Sequence, residues 1–66
     1  MTNMLIVITS KEGVRKKTAL VIDKIEGFQD QRPIEDRIHV FVGGNVFNVC
    51  DNLDTVWDML VARFDE

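Results

Sequence analysis

A chain of 66 residues with a formal net charge of −3 is long enough for one domain only, and 45% of its residues are hydrophobic. Its single cysteine, Cys50, and single histidine, His39, exclude a disulfide framework and argue against a metal site built on these residue types. The acidic total argues against general affinity for nucleic acid, because neutralisation of phosphates dominates such binding.

The first two predicted elements are strands. Residues 4–9, MLIVIT, are apolar and β-branched without helical spacing, and residues 18–22, TALVI, have the same character. The segment between them, SKEGVRKK, is predicted to be a basic loop with its turn at Gly13. Since a short connection makes neighbouring strands antiparallel, the two strands should form a hairpin.

A short third strand is predicted at residues 25–28, IEGF, after the polar interruption at residues 23–24. Gly27 in this strand indicates a β-bulge or the close approach of another backbone segment. Residues 29–36, QDQRPIED, are polar and contain the only proline of the chain, which predicts a loop.

The segment RIHVFVGGNVFNVC predicts a second hairpin, with strands at residues 37–42 and 45–50. Its turn is either Gly43-Gly44, with positive φ at both positions, or Gly44-Asn45. Both registers give the same two faces, because they differ by two residues. The predicted core face carries Ile38, Val40, Val42, Phe47 and Val49. The opposite face carries His39, Phe41, Val46, Asn48 and Cys50.

Residues 51–64 are predicted to form a helix with Asp51 as the N-cap. Its apolar positions follow the 3.6-residue period and indicate a buried stripe of Leu53, Val56, Trp57, Leu60 and Phe64. We expect Trp57 and Leu60 to be among the most buried side chains. The predicted fold is therefore α+β, a single domain over residues 1–66. It is a small antiparallel sheet of four to five strands with one C-terminal helix packed on one face.

The second face of the sheet predicts self-association. One short helix covers one face only, which leaves Phe41 and Val46 without a partner, and soluble monomers rarely expose large apolar patches. Small domains also usually need a source of stability besides their own hydrophobic core, such as a disulfide, a metal or oligomerisation. We therefore predict a homo-oligomer, most simply a symmetric dimer, in which the second face or an exposed edge strand packs against another copy of the chain. Phe41 and Val46 are the residues predicted in the interface.

Charge is unevenly distributed along the chain. Residues 1–24 carry five basic side chains against two acidic ones, whereas residues 51–66 carry five acids against Arg63. Four basic residues lie within seven positions and are the first candidate binding site for an anionic ligand or an acidic partner: Lys11, Arg15, Lys16 and Lys17. The simpler interpretation of such a run is a solvated turn. Asp54 and Asp58, one helical turn apart, form the second candidate surface, with a solvated helix face as the simpler interpretation.

These residues include no catalytic motif. His39 and Cys50 would be cross-strand neighbours if the turn were Gly44-Asn45, and a cysteine–histidine pair can hold a thiolate. A free cysteine is more often a small buried side chain. Gly43-Gly44 also lacks the spacing of a phosphate-binding loop. The sequence therefore predicts a protein that is not an enzyme and that binds no cofactor or metal.

Three segments in order, ALVIDKIEGF, RIHVFVGGNVFNV and NLDTVWDML, resemble the small flagellar and swarming motility proteins of the FlbD/SwrD type. The resemblance covers residues 18–61 and implies a strand, hairpin and helix fold without a catalytic motif. The chain departs from that family in its longer basic segment at residues 10–17 and its inserted loop at residues 29–36. We take from the resemblance an expectation about the fold and not the motility role.

The expected function is therefore that of a small binding protein that acts stoichiometrically on a partner protein, as bacterial or phage accessory proteins and inhibitors of host defence do. The alternative is an oligomeric binder of a small anion, such as a signalling nucleotide, that uses residues 11–17. A third hypothesis is weak binding of nucleic acid. Residues 4–8, MLIVI, are too short to span a bilayer and no basic segment precedes them, so we expect a cytoplasmic protein without membrane association.

Overall fold

The computed structural model describes residues 3–65, which form an antiparallel sheet of five strands and one C-terminal helix. The strands are β1 (Met4–Lys11), β2 (Val14–Val21), β3 (Ile25–Asp30), β4 (Ile38–Val42) and β5 (Asn45–Val49), a 3-10 turn occupies Ile22–Lys24, and helix α1 spans Leu53–Phe64. The spatial order is β2-β1-β5-β4-β3, so β2 and β3 are the edges of the sheet. The predicted α+β class is confirmed.

The first hairpin is longer than predicted. β1 and β2 pair from Met4↔Val21 to Lys11↔Val14, and the turn contains only Glu12 and Gly13, with φ of 52° and 80°. The basic segment was therefore predicted wrongly as a loop, because most of it is strand. A strand at the edge of a sheet keeps one side in water, so it accommodates lysines that would be costly in a central strand.

The second hairpin forms as predicted, and the structure distinguishes between its two predicted registers. Val42 pairs with Asn45, so the turn is Gly43-Gly44, with φ of 55° and 84°. On the predicted core face, Ile38, Val40 and Val49 are fully buried. The neighbouring strand β3 contains the expected bulge, between Ile25 and Gly27.

This register separates the two residues that could have formed a reactive pair. His39 lies opposite Asn48 rather than Cys50. The Cys50 thiol instead donates a hydrogen bond to the carbonyl oxygen of Ile8, with 3.6 Å between the atoms. The geometry that would have placed a histidine directly opposite the thiol is therefore not formed.

Helix α1 packs on the sheet through Val56 and Leu60, which join buried residues from all five strands in one core. Leu60 is deeply buried, as predicted, but the prediction for Trp57 was wrong. Trp57 is half-buried because it packs edge-on against Phe28 of the edge strand β3, where the centroids of the two rings are 5.2 Å apart. Phe64, the last residue of the predicted stripe, is exposed.

The start of the helix also differs from its prediction. α1 begins at Leu53, and the cap position is held by Asn52, whose backbone is left-handed with φ of 52° and whose side chain forms no capping hydrogen bond. The Asp51 carboxylate accepts the backbone N–H of Asn52 at 3.0 Å instead of capping the helix. Residues 3–65 contain no helix long and apolar enough to cross a membrane.

An ion network fixes the loop that follows β3. Arg32 donates to the Asp30 carboxylate from its guanidinium group, at 2.7 Å between Nη2 and Oδ2, and from its backbone N–H at 2.9 Å. The same guanidinium reaches Asp54 of α1 at 2.6 Å. The bonds from Arg32 lower the pKa of Asp30 to about 2. The network therefore ties the loop to the first turn of the helix.

This network should make the free energy of unfolding depend on pH in the acid range. The pKa of Asp30 in the fold lies below the ordinary value of about 3.9, so the pairing stabilises the protein above about pH 4 and is lost as the pH falls towards 2. Urea unfolding at a series of pH values measures this dependence. The free energy of unfolding of Asp30→Asn should fall less steeply with decreasing pH than that of the parent. Arg32→Ala should reduce this pH dependence by less, because the backbone N–H of residue 32 still donates to Asp30. In the double variant, the change at Arg32 should add nothing to the effect of Asp30→Asn. Additive effects of the two changes would contradict the pairing.

Candidate functional site

The neighbouring strands β1 and β5 pair only briefly. Their one residue pair is Thr9↔Val49, beside which the backbone N–H of Cys50 donates to the Ile8 carbonyl oxygen at 3.0 Å. On the other side of the pair, the Asn48 side-chain amide donates to the Ser10 carbonyl oxygen at 3.3 Å. Beyond this pair, the turn end of the first hairpin runs beside β5 without pairing with it. An open groove of about 710 Å³ lies between them.

The groove lies at the end of the core face that the helix leaves uncovered, and Ser10, Val46 and Asn48 of the opposite face also line it. The first hairpin contributes Thr9, Lys11, Lys16 and Thr18 to its walls, and β5 contributes Asn45 and Phe47. These hairpin residues lie on the same side of the sheet as the buried Leu5 and Leu20, because side chains on a strand alternate between faces. No residue of α1 lines the groove.

The chemistry of the groove is cationic and rich in hydrogen-bonding groups. Lys16 lies opposite Thr9, and Lys11 lies two positions further along β1 on the same face. Among the residues that the structure describes, neither lysine has a carboxylate partner within salt-bridge distance. The hydroxyl groups of Thr9 and Thr18 hydrogen bond to each other at 2.7 Å. Two ammonium groups are thus available to an anionic group, with Glu12 as the acid at the rim.

The four basic residues of the predicted site do not form one surface. Lys11 and Lys16 line the groove, whereas Arg15 and Lys17 are on the opposite face of the sheet, paired with Ser10 and Ile8. The Cys50 thiol beside the Arg15 guanidinium raises the pKa of Arg15. The structure therefore divides the cluster into two pairs with different surroundings.

The second candidate surface, Asp54 and Asp58 on the helix, is not brought to the groove. Both side chains are exposed, but the Asp54 carboxylate is engaged by Arg32. Asp58 forms no salt bridge with the other residues between 3 and 65. The two acids therefore have different roles, and Asp54 holds a loop.

The predicted oligomer interface, Phe41 and Val46, is a cross-strand pair on the face opposite the helix. Phe41 is half-buried and Val46 is exposed. A second exposed apolar group on that face, Met4, Ile6 and Val21, lies at the other end of the sheet. A polar row that includes Ser10, Asn48 and His39 runs between the two groups. The second face is thus not one continuous apolar patch.

Sequence reasoning missed Thr9, Thr18 and Asn45 as residues of the site. A signal for the first two was present, because Thr9 and Lys11, like Lys16 and Thr18, have the two-residue spacing of one strand face. A prediction in which β1 and β2 continue to the turn places these four residues on one face. Nothing in the sequence indicated that β5 would form the facing wall.

Searches against protein families, curated proteins and solved structures find no match to this chain. The resemblance to the FlbD/SwrD type therefore stays an expectation, and the candidate site is interpreted from its own residues.

Proposed function

We propose that this protein is a non-catalytic binding protein that acts stoichiometrically on a partner protein, and that its groove receives an acidic segment of that partner. The observation that carries the proposal is the position of Lys11 and Lys16, which are diagonal neighbours on one face of the first hairpin and line an open groove. Neither has a carboxylate partner among residues 3–65. Charged groups arranged in this way favour a complementary surface and speed its association.

The form of the groove favours a protein segment over a small anion. Ligand pockets that hold small molecules usually bury most of the ligand surface. Here the groove is open, and its walls combine the two lysines with the apolar side chains of Val14 and Phe47. A peptide segment with acidic and apolar side chains matches both features, whereas a small anion would use only the first.

The small size of the chain supports the class of protein within this proposal. A domain of 66 residues whose one thiol and one imidazole are not paired suits an accessory protein or an inhibitor that blocks a partner's surface. Bacterial and phage proteins that inhibit host defence are of this kind. This part of the proposal rests on size and class.

The test compares two adjacent lysines on opposite faces of β2. Lys16→Glu should weaken capture of the partner at least about tenfold, equivalent to about 1.4 kcal/mol, because it reverses a charge inside the groove. Lys17→Glu makes the same change on the opposite face and should capture the partner as the parent does. Both side chains are exposed, so both variants should unfold within about 0.5 kcal/mol of the parent. Affinity purification from the native host, read by mass spectrometry, identifies the partner.

Three other results would contradict the proposal, and two of them would favour one of the alternative functions. Equal capture by both variants would remove the groove from partner recognition. Thermal stabilisation that grows with the logarithm of nucleotide concentration and disappears in Lys16→Glu would favour the small-anion hypothesis. Retention of nucleic acid that collapses with added salt would favour the third hypothesis.

A further inference from the structure

The outer edge of β2 carries unused backbone hydrogen-bonding groups. In a hairpin with a two-residue turn, the residues that flank the turn exchange both backbone bonds, here Lys11 and Val14. Every second residue of β2 from Val14 onward therefore bonds to β1. The N–H and C=O groups of Lys17 and Ala19 point away from the sheet. No strand within residues 3–65 pairs with that side of β2.

An apolar strip lies directly beside this free edge. Met4 pairs with Val21 and Ile6 pairs with Ala19, so all four side chains share the face opposite the helix. Ile6 is 56% exposed, and Met4 and Val21 are nearly as accessible. Proteins usually protect an open edge with charge or cover it, because it is a template for pairing with another chain. In β2, basic side chains lie only in the first half of the strand, so the edge of the second half has no charge that would prevent pairing with another chain.

We propose that a second copy of this chain pairs its own β2 antiparallel to this edge, which joins the two sheets across a twofold axis. The charges along the strand favour a second copy as the occupant. Basic residues, Arg15 and Lys17, mark the start of β2, and an oppositely charged pair, Asp23 and Lys24, follows its end. A twofold antiparallel pairing sets the start of one strand opposite the end of the other. The basic starts of the two strands are then kept apart, Asp23 of one copy lies towards Arg15 of the other, and the two apolar strips meet at the axis.

This interface is independent of the groove. Lys16 and Thr18 of β2 point to the groove face, whereas Ala19 and Val21 share the opposite face with Met4 and Ile6. Pairing through the outer edge of β2 therefore leaves a groove open in each copy. The inference stands whether or not the groove binds an acidic partner.

Sedimentation equilibrium over a series of protein concentrations tests the proposal. The parent should reach twice the monomer mass, and Ile6→Lys should remain a monomer, because it places a charge in the strip. Val46→Lys is the matched control, since Val46 is 51% exposed on the same face but at the other end of the sheet. It should dimerise as the parent does. A parent that stays monomeric, or a dimer that Val46→Lys and not Ile6→Lys dissociates, would overturn the proposal.

Amide hydrogen exchange distinguishes edge pairing from simple contact between faces. The Ala19 amide points outward in the monomer and should exchange quickly in dilute protein, then slow down as the dimer forms. The Thr18 amide is bonded to β1 in either state and serves as the internal reference. Rapid exchange at Ala19 in a sample shown to be dimeric would contradict strand pairing through β2.

Discussion

Leu60→Ala should lower the free energy of unfolding by about 2–5 kcal/mol, the range found for leucine truncations in a packed core. Leu60 is only 2% exposed and is one of two helix residues in the core. A helix of 12 residues is marginal in isolation, so its docking depends on these side chains. For a small domain with about 5–15 kcal/mol in total, this loss is a large fraction of its stability.

Met59→Ala is the control for this prediction, because Met59 is the preceding residue on the same helix and is 50% exposed. Its truncation should change the free energy of unfolding by no more than about 0.5 kcal/mol. Urea unfolding followed by circular dichroism measures both variants. Equal losses in the two variants would mean that the helix does not dock through Leu60.

Ile38→Ala should cost about 2–5 kcal/mol as well, through the sheet rather than the helix. Ile38 is fully buried at the start of β4, where it pairs with Asp30 on one side and Val49 on the other. Removing its side chain leaves a cavity in the core between the sheet and α1, which a close-packed interior fills only in part. Chemical denaturation gives the change in the free energy of unfolding.

Ile34→Ala makes the identical chemical change four residues earlier, in the loop before β4. Ile34 is 91% exposed, so this variant should unfold within about 0.5 kcal/mol of the parent. The pair therefore tests whether burial, and not the residue type, sets the cost. A loss in Ile34→Ala as large as that in Ile38→Ala would show that the loop is packed against something in solution.

The basic cluster shows how a wrong local prediction propagates to the site. Treating residues 10–17 as a loop left the directions of its lysines undefined. Because the segment is a strand, its side chains alternate between the two faces of the sheet. Lys16 therefore lies in the groove and Lys17 on the opposite face. The prediction is wrong because a run of charged residues does not by itself indicate a loop. At a sheet edge, charged side chains are instead a usual protection against unwanted pairing.

Local sequence patterns predicted the second hairpin correctly and placed Val56 and Leu60, the two buried residues of the helix, within the predicted stripe. Alternation around Gly43-Gly44 is a local property, since the turn and its flanking pair span four residues. The spacing of Val56 and Leu60 likewise depends only on the helical period. Local rules therefore sufficed for the core face of β4 and β5 and for the side of α1 that meets it.

The position of the groove and the partial burial of Trp57 depend on the strand order, so local patterns could not predict them. The contact that brings β1 against β5 joins Ile8 to Cys50, 42 positions apart, and no local pattern encodes such a pairing. Trp57 follows the same period as Leu60 but meets Phe28 on an edge strand, so part of its ring stays in water. A period specifies which side of a helix faces the sheet. The strand order specifies what lies beneath each position, because it fixes which strands are central and which are edges.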